Sequence, residues 1–228
     1  MSAALRRLAL PVAAAMAAAV PGLAMATTLY ETGPAQDSAF VRFVNGTGAP
    51  LDVVADGAKA RLALPVDRPV SDFQSVKPNS AIGGQFDGAA GRAPIRVQAG
   101  PGAFATVVAW KAPGQKSVQT TVLTETPDDF NSLRASLAFY NLDAQCKGAG
   151  LQAAGRNVAL FTGVGPSALQ RRAINPVSLA VQLTCDGAPA GAPLDLGALQ
   201  AGQRYTVLAV PAADGGRRLI RATDTVAR

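Results

Sequence analysis

Cys146 and Cys185 are the residues of this chain whose type most directly offers covalent chemistry. A thiolate is a nucleophile when a nearby base or positive charge lowers its pKa. The chain has 228 residues and no histidine. That excludes Cys-His and Ser-His-Asp arrangements, and zinc sites built on imidazole. Two cysteines alone cannot complete a four-cysteine zinc site. Neither Ser-x-x-Lys nor Gly-x-Ser-x-Gly occurs, and there is no P-loop. Asp128 and Asp129 are the sole adjacent acidic pair, in a stretch that reads as a linker rather than a glycosidase pair. No catalytic residue, metal site or cofactor is therefore expected. In an oxidising compartment the two cysteines are expected to form one disulfide closing a loop of about 40 residues. A free reactive thiol is the alternative.

Binding is the other chemistry these residue types offer. Trp110 is the sole tryptophan and ends an apolar run before Lys111-Ala-Pro-Gly. Its ring could stack on a sugar, or pack on a sheet edge or a domain interface. Arg171 and Arg172 form the most concentrated positive spot in the body of the chain. With Arg156 and Arg68 they could read carboxylates of a uronate polymer, because guanidinium groups pair with carboxylates bidentately. A solvated loop is the plainer reading of the same residues.

The elements that must position these residues follow from the rest of the chain. Residues 1–26 carry Arg6 and Arg7, an uncharged Ala-rich run, then Ala24-Met25-Ala26. That is the three-part pattern of a secretory signal peptide, with cleavage expected after Ala26. The 21 basic and 15 acidic residues give a net +6, reduced to +4 when Arg6 and Arg7 leave with the signal. The charge is scattered and has no interleaved aromatics, so nucleic acid is not an expected partner. An anionic polymer or an acidic partner is compatible with it.

From Ala39 onward the chain is a series of short runs rich in Val, Phe, Tyr and Thr, separated by Gly, Pro, Asn and Asp. AFVRFVN (39–45), AFATVVAW (103–110), LRASLAFYN (133–141) and RYTVLAVP (204–211) are the most apolar. Such spacing predicts an all-β sandwich or barrel class. Residues 83–91 read as a flexible Gly-rich loop, and residues 166–172 as a short helical turn. The pattern also repeats. Phe40–Asn45 aligns with Ser136–Asn141 at an offset of 96, and Gln98-Ala99-Gly100 with Gln200-Ala201-Gly202 at an offset of 102. Two related β-domains in tandem are expected, spanning residues 27–130 and 131–228 and joined near residues 128–132.

Two segments carry a resemblance. One is Leu29-Tyr30, Gly33-Pro34 and the run Ala39-Phe-Val-Arg-Phe-Val-Asn45; the other is Ile174-Asn-Pro-Val-Ser-Leu-Ala-Val181. After a signal peptide and in a chain of this size, they resemble the AlgF-like family, periplasmic accessory proteins of alginate O-acetylation. The chain departs from that family in its cysteine pair and in the longer Gly-rich segment near residues 79–93. The resemblance implies a non-catalytic periplasmic adaptor. Its implied partners are periplasmic and membrane polysaccharide O-acetyltransferase components, with an anionic polysaccharide as a further contact. A secreted carbohydrate-binding or cell-surface adhesion module is the second reading, and a histidine-free esterase the third.

Overall fold

The structure, a computed structural model, describes residues 38–126, 131–156, 158–212 and 214–227. The signal-peptide segment and residues 127–130 of the expected junction lie outside the described residues. Among the described residues there is no α-helix. The first half forms β1 (Ala39–Asn45), β2 (Leu51–Ala55), β3 (Arg61–Leu64), β4 (Gln74–Val76), β5 (Ile82–Gly88), β6 (Gly91–Val97), β7 (Phe104–Trp110) and β8 (Gln119–Glu125). The second forms β9 (Ala135–Asn141), β10 (Ala149–Ala153), β11 (Val158–Val164), β12 (Ala168–Ile174), β13 (Ser178–Cys185), β14 (Ala188–Pro189), β15 (Leu194–Ala198), β16 (Arg204–Pro211) and β17 (Arg217–Thr223). The fold is all-β, as the run spacing predicts.

Each half is a two-layer sandwich with the same plan. In the first, a sheet of order β4-β1-β7-β8 covers one of order β3-β2-β5-β6. In the second, β12-β9-β16-β17 covers β11-β10-β13, to which β15 and the short β14 add by pairing β13. The central pairs β1–β7 and β9–β16 are both parallel, and their outer neighbours antiparallel. Each half has its own apolar core, around Phe43, Phe86, Ile95 and Val107 in the first and around Leu137, Phe139, Leu151 and Val207 in the second.

Two asparagines show why the repeat is visible in the sequence. Asn45 donates from Nδ2 to the carbonyls of Ala49 (2.7 Å) and Leu64 (2.9 Å) and accepts from the Thr47 amide at 3.0 Å. Asn141 donates to the carbonyls of Cys146 (2.9 Å) and Val164 (3.0 Å) and accepts from the Asp143 amide at 3.0 Å. Both are buried, and each ties the end of its strand to the following loop and to a neighbouring strand. A buried backbone carbonyl needs a donor, and a short amide side chain supplies it.

Three expectations are corrected. The second repeat match has a structural offset of 100 rather than 102. Phe40 pairs Phe104, and the equivalent Ser136 pairs Arg204. The equivalent turn glycines are Gly102 and Gly202, with φ of 70° and 74°. Residues 83–91 are not a loop but β5 and the turn into β6. The glycines there answer close backbone approach, since a Cβ on Gly84 or Gly88 would lie 2.5 Å from the carbonyl oxygen of Val54 or Pro50. Residues 166–172 are not helical. From Ala168 they form β12, held to β9 through seven register pairs, and that pairing overrides local preference.

The disulfide joins Cys146, in the loop before β10, to the end of β13, with Cα atoms 5.4 Å apart. Replacing both cysteines by serine is expected to lower stability by about 3–4 kcal/mol in urea unfolding. Asn45→Ala and Asn141→Ala should each cost about 1–3 kcal/mol by the same measurement, the two values being close because the two sites are equivalent.

Candidate functional site

The central strands are buried on both faces. In β1, Val41 and Phe43 enter the first core, while Arg42 and Val44 face the second half. In β9, Leu137 and Phe139 enter the second core, while Ala138 and Tyr140 face the first half. Thr106 and Val108 of β7 and Thr206, Leu208 and Val210 of β16 complete this shared layer. The two halves thus pack sheet face on sheet face.

A polar network is sealed into that layer. Arg42 is 0% exposed. It donates to Thr106 Oγ1 (3.0 Å), Asp224 Oδ1 (2.7 Å) and Thr206 Oγ1 (2.8 Å), and its guanidinium lies 4.4 Å from the Phe73 ring centroid. Asp224 also accepts from Thr206 Oγ1 at 2.7 Å and from Arg171 at 2.8 Å. Arg171 forms a two-pronged pair with Glu125, at 2.9 and 2.6 Å, and reaches Ser136 Oγ at 3.1 Å. The Tyr140 hydroxyl donates to Glu125 at 3.1 Å.

The electrostatics follow from that geometry. Burial opposes ionisation of Asp224, but the charges of Arg42 and Arg171 and the hydrogen bonds from Thr206 and Arg171 outweigh it and hold its carboxyl below the usual range. Burial likewise opposes the charge of Arg171, and Glu125 and Asp224 more than offset it. Burial, then the Glu125 carboxylate, pushes the Tyr140 phenol up to about 12.

Beside this network the same sheet face opens into a pocket of about 240 Å³ lined by Asn131, Arg134, Ser136, Arg171, Arg172 and Arg204, with Ala135 and Ala173. Four arginines line it, and among the described residues no carboxylate does. Arg171 is already neutralised by its acids, whereas Arg172 donates to the Leu160 carbonyl at 2.6 Å and Arg134 to the Ala173 carbonyl at 3.3 Å. Arg134 Nε and Arg204 Nη2 are buried without a hydrogen-bond partner among the described residues. Burial, and then the charge of Arg171, lowers the Arg204 pKa. Such a pocket can take an anion with several acceptor oxygens.

Arg171 and Arg172 are thus brought together in one pocket. Arg68 lines other surfaces, and Arg156 is not among the pocket residues. Trp110 also lies apart. It packs on the shared layer between the halves, and its Nε1 donates to Thr121 Oγ1 at 2.9 Å. Arg134 and Arg204 were missed in the sequence because each stands alone at the start of a strand. Aligning the repeat at 100 would have exposed Arg204, since its equivalent is the apolar Phe104.

The described chain is therefore a pair of like β-sandwiches fused through a buried ion network, with an arginine pocket at the edge of the junction. No family model matches it, and no curated protein matches it in sequence closely enough to count as a relative. Among solved structures, it is similar to the C-terminal domain of AlgF from P. aeruginosa. That match has 20% identity and a TM-score of 0.34, over 40% of this chain and 98% of the other. It is also similar to the Bacillus anthracis TIE protein at 9% identity and TM-score 0.26, over 82% of this chain and 44% of that one. A protein of Bacteroides ovatus assigned provisionally to cell adhesion gives 9% identity and TM-score 0.28, over 85% and 99%. None of these values identifies a family.

Arg42→Ala or Asp224→Ala would leave a buried charge uncompensated and should destabilise the protein by about 3–5 kcal/mol in urea unfolding. Because the folded pKa of Asp224 is depressed, its contribution is complete above the unfolded value of about 4 and is lost as pH falls further. Stability measured from pH 6 to pH 2 should therefore fall less steeply in Asp224→Asn than in the native protein.

Proposed function

We propose that this protein is a non-catalytic accessory protein of the periplasm that serves the O-acetylation of an exopolysaccharide, alginate or a polymer like it. The observation that carries this reading is the resemblance of residues 39–45 and 174–181 to the AlgF-like family. In the fold, the first segment is β1, the strand that carries Arg42 into the junction, and the second links β12 to β13. The resemblance thus falls on residues that hold the architecture together.

The physical features suit an adaptor. The halves are locked to each other by a buried network, so the body presents its surfaces in a constant arrangement. The disulfide between the buried Cys146 and the half-buried Cys185 suits an oxidising compartment. The arginine pocket offers positive charge in one place, suited to an acidic partner or an anionic polymer. Chemistry on the polymer then falls to separate acetyltransferases, which this protein positions or supports.

The test is a pull-down of the exported protein from a crosslinked envelope extract, read by mass spectrometry. A polysaccharide O-acetyltransferase component is the expected catch. A repeated absence of any such enzyme, together with direct retention on immobilised polysaccharide, would replace this reading with a carbohydrate-binding or adhesion module.

A further inference from the structure

The two halves share a plan, so a place where they differ is informative. At the start of β1 and β7, the paired residues Phe40 and Phe104 stack with ring centroids 4.4 Å apart. Phe73 closes on Phe104 edge-on at 4.9 Å. The aromatic rings fill that part of the sheet face. At the equivalent positions of β9 and β16, the paired residues are Ser136 and Arg204. Both line the arginine pocket. Where the first half has an apolar plug, the second has an open cationic cavity.

A fold has no need of this exchange. An aromatic pair would bury area and stabilise the sheet, whereas the arginines repel one another and leave buried donors unmet. Arginines gathered around one cavity, Arg134 and Arg204 with no ion-pair partner among the described residues, are a configuration that a ligand anion completes. The cavity is single, and neither an aromatic platform nor a run of further arginines leads away from it among its lining residues. A polymer chain calls for a track of contacts, and a local anchor needs only one pocket. Leu133, between the pocket residues Asn131 and Arg134, is 79% exposed, the most exposed of the large apolar side chains among the described residues. An exposed apolar side chain in the same short segment as residues lining a charged pocket offers a protein segment two contacts, one charged and one greasy.

We infer that this pocket docks an acidic peptide segment of a partner protein, one carboxylate seated between Arg134 and Arg204 and a neighbouring apolar side chain resting on Leu133. Arg171 acts as the positioning residue, because Glu125 and Asp224 hold it in place from behind. The inference deepens the adaptor reading by giving it a contact surface.

The test is an NMR titration of the exported protein with the peptide acetyl-Gly-Leu-Glu-Leu-Glu-Gly-amide, with its Gln-for-Glu counterpart as control. The expected result is saturable shifts at the amides of Leu133, Arg134 and Ser136 and at the Arg204 side chain, absent with the control. Arg204→Gln and Arg134→Gln should each weaken binding by about tenfold or more, since each removes charge-assisted hydrogen bonds. Leu133→Ser should weaken it by a smaller factor. Equal binding of the Gln peptide, or tighter binding of a trigalacturonate, would overturn the inference. So would binding seen only in Asp128→Asn/Asp129→Asn, because the chain's own carboxylates would then be the occupant. The pull-down repeated with Arg204→Gln separates the two readings. Undiminished recovery of the acetyltransferase by the variant rejects this pocket and leaves the adaptor role standing. Failure of the native protein to recover any such enzyme rejects the role, and the titration alone then decides the pocket.

Discussion

The guanidinium of Arg42 has no access to water, and much of the architecture follows from accommodating it. It sits on a strand whose other face is already committed to an apolar core, so it must find its partners across the junction. Thr106 comes from its own sheet, Thr206 from the other half, and Asp224 from beyond β17. A charge removed from water is tolerable only when paired and hydrogen-bonded. Meeting that requirement binds the extreme end of the described chain to its first strand. The backbone of the same segment follows, with the Phe73 amide donating to Thr225 and the Ala227 amide donating to Phe73.

This constraint bears on specificity more than on strength. Apolar residues alone could join the two sheet faces, as Val44, Val108, Tyr140 and Leu208 partly do. Apolar faces slide, whereas a network in which Asp224 bridges Arg42 and Arg171 admits few relative placements of the halves. Glu125 and Asp224 also fix the back of Arg171, and so shape the wall of the arginine pocket. The stabilising network and the candidate contact surface share one residue.

The repeat separates what is structural from what is particular. Asn45 and Asn141 make equivalent bonds in both halves and belong to the plan. Phe104 and Arg204 occupy equivalent places with opposite chemistry and do not. The contrast was recoverable from the sequence only with the correct register. Matching Gln-Ala-Gly triplets suggested an offset of 102, but the turn glycines and the parallel pairing give 100. A two-residue error on a strand preserves the inward and outward alternation, so nothing in the apolar pattern signalled the mistake.

The sequence by itself determined the class of fold. Short β-branched and aromatic runs between turn residues cannot become helices of useful length, and strand-ending asparagines mark the repeat. It also determined that imidazole chemistry is absent, because the residue is absent. Tertiary structure decided the rest. Glycine in β5 reads as a loop until another strand's backbone is seen to lie against it. Arg171 reads as a solvated charge until Glu125 and Asp224, distant in sequence, are brought to it. Four arginines spread along the chain became one pocket only because pairing set β9, β12 and β16 side by side. Local pattern reports which face of an element is buried, whereas charge partners and cavities depend on which elements become neighbours, and that is a property of the whole chain.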